Sequence, residues 1–524
     1  VIKLSRFLKY KGVFIKSGIG NDCGSEGDKY MDSSRKFLIV SISAAVLLII
    51  LVSCTLAYSG RDNTLMADKT LSFEINGFNV ELPLSENDAV YDAVSLSSVT
   101  ENKIKLLNEV GANVKINGKG IGAGTTIDLK LDELSSSELI KIQVGNEKDE
   151  RVIYLRTLSS QLPGIIPAGA SSYEGNYFAA VATGGAALYE LNNQGEVVFY
   201  IAKSPEKANG ESYRDFKKHV YENGTVRYSY QRVYGDSNGI GYAVGERVIL
   251  DDQYQEIDII TLAQSEVAKA GDPVDGRDFI LIDDNHYIIE ASQLVLVQNV
   301  PDGLGANTMG SKVVRNLIQE VKDDQVVFEF TTDSHPELYG LSVTDHDYSN
   351  TTSQSPDYAG LNRMIIDPAD NNLIVSFGNM NTIIKIDREN RAVIWKLSGN
   401  GDEFGMSPEQ KTSGQTDLAI TDEGELTVFD KATSTGQTRI LKIKLDEVNK
   451  KILGYQEYKV PGKTTLAYGS AQKIGDNIEV YTIGWGQLKD GNVAISEIDF
   501  NTGKKLLEVT LPQGVANDRV QKFK

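Results

Sequence analysis

From about residue 162 to its end the chain repeats one pattern: an apolar run, a turn rich in Asp, Asn and Gly about every 8 to 12 residues, and another apolar run. ALYELNNQGEVVFYI, FILIDDNHYIIEA, LIVSFGNMNTIIKIDRENRAVIWKL and ISEIDFNTGKKLLEVTL are examples, and no stretch reads as a long helix. Short strands joined by such turns make antiparallel sheets. About 360 residues of them exceed the two packed sheets of a sandwich, which leaves radial repetition: a β-propeller with four short strands per blade. At roughly 60 residues per blade six blades is the simplest count, and eight is compatible with the same repeat lengths. In such a wheel, loops and strand ends of different blades converge at the mouth of the central channel, the expected ligand site. The expected fold class is therefore all-β, with the propeller over residues 161–524.

Residues 66–160 read differently. Period-2 segments such as Phe73/Ile75 and Val114/Ile116 are punctuated by Asn-Gly at 76–77 and again at 117–118, the turn pair that closes two-residue hairpins. A small antiparallel β-sandwich is expected. It contains no His, no Cys and no suggestive carboxylate pair, so its default role is structural or as a docking surface, for a neighbour or for a second copy in a homodimer.

Ahead of the sandwich, residues 37–57 carry no charge over 21 positions, with Arg35 and Lys36 just before them. That is membrane length. Basic residues precede the run, so the N-terminus is expected in the cytoplasm and the domains outside. Leu51-Val52-Ser53-Cys54 resembles the lipobox of bacterial lipoproteins, with Cys54 as the lipidated residue; the alternative is an uncleaved signal anchor. Residues 31–58 are thus a lipoprotein signal or anchor, residues 1–30 an upstream leader, and the protein is expected to be tethered to the outer face of a membrane.

The formal charge of -19 excludes nucleic acid as a partner of the folded part, because counterion release needs clustered Lys and Arg. Two cysteines, Cys23 and Cys54, exclude a disulfide framework and a Cys-rich metal site. No phosphate loop, zinc-protease, calcium-loop, nucleophile-elbow or dinucleotide motif is present, so no cofactor and no metal are expected. Of the four histidines, His219, His286, His335 and His346, His286 falls in a hairpin turn. His335 and His346 flank an Asp-rich loop in which Asp345 and Asp347 alone make an incomplete ligand set.

Several segments together resemble the bacterial arylsulfate sulfotransferases: DGRDFILIDDNHYII (275–289), SHPELYGLS (334–342), DYAGLNRMIIDPADNNLIVS (357–376), IWKLSGNGDEFGMSPEQKTSGQTDLAITDEGELTVFD (394–430), YGSAQKI (468–474) and IGWG (483–486). The resemblance runs from about residue 71 and includes the sandwich that closes with YLRTLSSQLP (154–163). It implies a six-bladed propeller that moves a sulfuryl group from a phenyl sulfate to a phenol through a sulfohistidine in a funnel at the channel mouth. The family's Gln-His-Asp motif, whose His is the nucleophile, falls on Gln415-Thr416-Asp417. A second His falls on Arg277 of Gly276-Arg277-Asp278-Phe279, and a third on Gly360 in the run from Asp357 to Asn362. The sulfate-binding Arg falls on Gly378. Of these positions only Asn362 keeps the family residue.

Sulfuryl transfer needs a nucleophile for sulfur, cations for the charge that spreads on the oxygens, and an acid for the phenoxide. A Thr hydroxyl does not replace imidazole without a base in reach, and loss of a nucleophile costs on the order of a millionfold. Arg277 keeps a cation whose fork suits an anion such as an aryl sulfate, unless it is spent on an ordinary salt bridge to Asp275 or Asp278. The expectation is a degenerate family member that binds an anionic small molecule at Arg277 and Asn362. The alternatives are a working sulfotransferase with a relocated His335 or His346, and a purely structural surface lipoprotein.

Overall fold

In the computed structural model, only the backbone of Lys9–Gly12 and Ile50–Cys54 is described among the first 68 residues. From Lys69 on, all residues are described except 76–77, 86–88, 95–100, 108–111, 131–139, 147–148, 159–161, 204–209, 237–241, 345, 352–354, 460–461 and 476–477. Most of the apolar run at 37–57 therefore lies outside the described residues, as do Asp345 and the leader apart from Lys9–Gly12. Ile50–Cys54 is drawn as a strand beside Ala89–Val94. The chain divides at Leu162/Pro163 into two compact units, and no described helix is long and apolar enough to cross a membrane.

The first unit holds two sheets. One has the order Phe78–Pro83, Thr70–Ile75, Glu101–Leu106, Thr126–Lys130, all antiparallel. The other runs from Ala89–Val94 through Asp149–Leu158 and Ile140–Asn146 to the hairpin Val114–Ile116 and Lys119–Ile121. Alternate residues turn inward from each, Leu71, Phe73, Ile104 and Leu106 from the first and Val114, Ile116, Ile142, Val144 from the second. Asn117 and Gly118 both have positive φ, 46° and 80°, which is why Asn-Gly closes this hairpin with the twist that strands need. One pairing departs from the expected all-antiparallel sandwich: Ala89–Val94 runs parallel to Asp149–Leu158. A parallel pair cannot be joined by a tight turn, and the long stretch of chain between these two strands supplies the crossover it needs.

Among the described residues the second unit contains six sheets, each built on four antiparallel strands that mostly pair with the next in the chain, and one two-stranded pair, Thr465–Ala467 with Gln487–Leu488. Blade I is Asn176–Thr183, Ala186–Leu191 and Val197–Lys203, completed on its inner edge by Ala516–Phe523. Blade II is Ser212–Val220, Val226–Asp236, Ala243–Leu250 and Glu256–Ile260; blade III is Phe279–Asp283, His286–Val297, Ser311–Lys322 and Gln325–Thr331. Blade IV is Leu361–Ile366, Leu373–Phe377, Thr382–Ile386 and Val393–Leu397; blade V is Gln415–Ile420, Glu425–Asp430, Arg439–Asp446 and Lys451–Lys459. Blade VI is Ser470–Lys473, Val480–Gly484, Val493–Asp499 and Lys505–Thr510, with Ile166–Gly169 added to its outer edge. Each blade packs on the next, and blade VI packs on blade I through Ala516–Phe523, so this is the expected six-bladed propeller. Apolar faces meet between blades: Trp395, edge-on to Phe404 with ring centres 5.5 Å apart, shares a cluster with Leu418 and Val428. Burying such faces on both sides of every blade is what lets the wheel stand without disulfides.

Candidate functional site

The innermost strand of each blade begins at one end of the channel, and there a cavity of about 430 Å³ opens, lined from all six blades. Arg277, Gly360, Asn362, Gly378 and Thr416 all line it. They come together by a local device. In blade IV the ladder pairs Leu361 with Phe377 and Arg363 with Ser376, and in blade V Gln415 with Asp430 and Asp417 with Phe429. Asn362 and Thr416 are the extra residues of two β-bulges, which turn a side chain out of the ladder and towards a site.

Below them lies an ionic lattice. The residue after each bulged or loop position belongs to it: Asp215 follows Arg214, Asp278 follows Arg277, Arg363 follows Asn362, Asp417 follows Thr416 and Arg519 follows Asp518, and of these five only Arg519 also lines the cavity. Asp215 holds Lys217 (2.9 Å), Arg247 (2.9 Å) and Arg519 (2.8 Å). Asp278 holds Lys217 (2.7 Å) and Arg363 (2.7 Å), and Asp417 faces Arg519 (3.2 Å) and Arg363 (3.4 Å). All seven are buried. Burial pushes the Asp215 carboxyl up, but Lys217, Arg247 and Arg519 outweigh it and hold it far below the usual carboxylate range. Asp278 is held low in the same way by Arg363 and Lys217. With four cations to three carboxylates, the lattice joins blades I to V across the channel and makes an electropositive floor.

Arg277 rises from this floor. Its Nη1 donates to Asn362 Oδ1 at 2.5 Å, its guanidinium carbon lies 4.1 Å from the centre of the Tyr242 ring, and its backbone oxygen accepts from Arg519 at 2.7 Å. Pairing of Val274–Asp275 with Ala243–Leu250 sets Tyr242 beside it, and Tyr242 in turn donates to Asp357. Asp278 is fully engaged with Lys217 and Arg363, and Asp275 reaches Arg277 only at 3.9 Å. The side chain stays 30% exposed to the cavity. Asn362 also donates to the Gln415 carbonyl (2.8 Å), so it orients Arg277 while being held itself.

Thr416 has a different fate. Its hydroxyl lies 2.9 Å from the Tyr468 carbonyl and 3.0 Å from the Gly469 carbonyl, so its proton is given to the backbone of blade VI. No imidazole or carboxylate hydrogen-bonds to it among the described residues. Gly360 has φ +64°, and a Cβ there would stand 2.6 Å from Asn379 Nδ2; at Gly378 it would stand 2.3 Å from Asn362 Nδ2. The space beside both glycines is filled by amides.

None of the four histidines lines the cavity. His219 is half-buried against Ser229 (2.8 Å) and edge-on to Phe279, and desolvation holds it well below its ordinary range. His286 pairs with Glu320 (2.6 Å). His335 stacks on Phe330 at 4.6 Å, and His346 bonds the Thr344 carbonyl at 2.5 Å. The described carboxylates that best converge, Asp367, Asp370 and Glu447, surround the Lys385 ammonium at 2.7, 2.8 and 2.7 Å, so the cation's place is taken.

Sequence reasoning did not find Arg214, Tyr242, Asn379, Lys431, Tyr468 or Arg519, which also line the cavity. One signal was readable: charged pairs at blade starts, Arg214-Asp215, Arg277-Asp278 and Asp518-Arg519. Tyr468 carries another signal, seen only in the backbone, with φ +62° for a bulky residue; such strain collects at binding sites. The lining has four cations, Arg214, Arg277, Lys431 and Arg519, against Asp275 and Asp518, in a chain of net charge -19. Burial raises both of these carboxyls, as it does Asp357 beside them.

A search of curated proteins found no match. Among solved structures, similarity extends to the β-propeller domain of Swd1 from Myceliophteria thermophila, at 10% identity, TM-score 0.35, and 67% of this chain and 90% of that one covered. A quinonprotein alcohol dehydrogenase-like protein from Bacteroides thetaiotaomicron aligns at 11% identity, TM-score 0.34, covering 82% and 96%. The family model described as Arylsulfotransferase (ASST) matches residues 222–487, a span that takes in Arg277, Gly360, Asn362, Gly378 and Thr416. That match covers just over half of the 524 residues, and the chain belongs to the arylsulfotransferase (ASST) family.

Proposed function

We propose that this chain uses the channel mouth to bind an anionic, aryl sulfate-like ligand and does not transfer the sulfuryl group. The observation that carries the reading is the contrast between two neighbours. Arg277 is oriented by Asn362 and left open to the cavity, whereas Thr416, at the nucleophile's position, has its hydroxyl bound to backbone carbonyls. An oriented cation without a nucleophile binds and does not react. The absence of any histidine from the cavity lining speaks against relocated catalysis through His335 or His346.

The test uses the full chain. No release of nitrophenolate from 4-nitrophenyl sulfate above background is expected with phenol as acceptor, and robust turnover would overturn the reading. Titration calorimetry should show salt-dependent binding of phenyl sulfate that Arg277→Ala weakens. Equal affinity in both proteins, or none in either, would favour a purely structural role. For location, the proposal is a lipoprotein held at Cys54 on the outer face of a membrane, supported by the uncharged run at 37–57 and its basic flank.

A further inference from the structure

Lys431, just past the strand Glu425–Asp430 of blade V, lines the cavity. It makes no ion pair among the described residues, and its ammonium has one hydrogen bond there, to the Leu466 carbonyl at 3.5 Å. A half-buried ammonium with so little compensation is costly. Burial, and after it the Arg277 guanidinium, push Lys431 below its ordinary range, against the pull of Asp430. The two cations are held by different blades. Arg277 is tied to Tyr242 of blade II and Asn362 of blade IV, while Lys431 leans on the segment leading into blade VI. The lining also includes Gly360, Gly378 and Gly414, which put no side chain into it. Tyr468, with Arg214 lying 5.7 Å from its ring centre, and Tyr242 offer aromatic surface. A volume of about 430 Å³ is in the range of small-molecule sites.

We propose that the cavity selects an aromatic ligand bearing two anionic groups, one taken by Arg277 and the second by Lys431. The inference rests on the anion-binding reading above and deepens it from one charge to two. A charge-assisted hydrogen bond at the second group corresponds to about tenfold or more in affinity.

Calorimetry on the full chain with phenyl sulfate, one anion, and 4-sulfooxybenzoate, two anions, tests it. The wild-type chain should bind the second at least about tenfold more tightly. Lys431→Gln should erase that gap and leave phenyl sulfate within about twofold, while Lys431→Arg, which keeps the charge, should retain the gap. No gap in the wild type, a gap that survives Lys431→Gln, or equal loss of both ligands in Lys431→Gln would overturn the proposal; the last would mean a single anion bridging both cations. Arg277-dependent binding of phenyl sulfate without a gap sinks the two-anion inference alone. Failure of the wild type to bind either ligand sinks both readings.

Discussion

Replacing Asp215 by Asn is the sharpest probe of what holds the channel mouth together. Asp215 has φ +47°, a conformation that Asn tolerates as Asp does, so the substitution removes charge without adding backbone strain. Lys217 would keep Asp278, and Arg519 would keep Asp417. Arg247, with no exposed surface, would keep only the residue 215 carbonyl at 3.0 Å and the face of Phe279 at 4.9 Å. Leaving a buried cation without its anion costs about 3–5 kcal/mol, a large part of the roughly 5–15 kcal/mol that a domain has. With a urea slope of about 3 kcal/mol per M, the lower figure moves the midpoint by about 1 M. The readout is clean because both tryptophans, Trp395 and Trp485, are buried in the propeller, so their fluorescence follows that unit. Asp284→Asn is the control: its pair with Arg227 is as short, 2.7 Å, but Asp284 is 51% exposed, and such pairs are worth about 1 kcal/mol or less. If Asp215→Asn moves the midpoint no further than Asp284→Asn, the lattice is not what stabilises the mouth.

Acid should act late on the same lattice: Asp215 and Asp278 are held low when folded, so their contribution is full above the unfolded value of about 3.9 and is lost only as pH falls through the lower folded values. The urea gap between wild type and Asp215→Asn should persist at about pH 5 and close well below about pH 4; closure already at pH 5 would refute this. Gly378→Ala should weaken phenyl sulfate binding by roughly tenfold in calorimetry, because its Cβ displaces the Asn362 amide that orients Arg277. Restoring the family residues with Thr416→His, Arg277→His, Gly360→His and Gly378→Arg together should give no turnover of 4-nitrophenyl sulfate and a lowered urea midpoint, since Asn379 and Asn362 occupy the space. Mass spectrometry of membrane fractions should find a mature chain starting at lipidated Cys54; an intact 31–58 segment would mean an anchor instead.

The wheel was legible because period-2 runs and Asp/Asn/Gly turns act locally, and each blade is one local unit. The positions Arg277, Gly360, Asn362 and Thr416 were reachable because motif segments at the starts of inner strands carry them, and Gly378 because a motif segment runs up to the turn after the strand Leu373–Phe377. Their consequence was less so. That Asn362 and Thr416 sit on bulges depends on ladder register, which alternation in the sequence does not reveal when one extra residue is inserted. Lys431 carries no such signal, since nothing local tells which blade will face which across a channel. The lattice was hidden for the same reason: Asp215, Asp278, Arg363, Asp417 and Arg519 come from five blades.

The strand Ala516–Phe523 gives the mouth an order in time. Chains emerge from the ribosome N-terminus first and domains tend to fold as they appear, yet blade I waits for its inner strand until blades II to VI have been made. Arg519 is on that strand, so Asp215 and Asp417 lack one of their cations, and Arg277 lacks the donor to its carbonyl, throughout elongation. A nascent chain is thus a ring with one gap and a floor carrying one positive charge fewer. The closing strand is made last, and a chain stalled before residue 519 lacks both the seal of blade I and one cation of the floor.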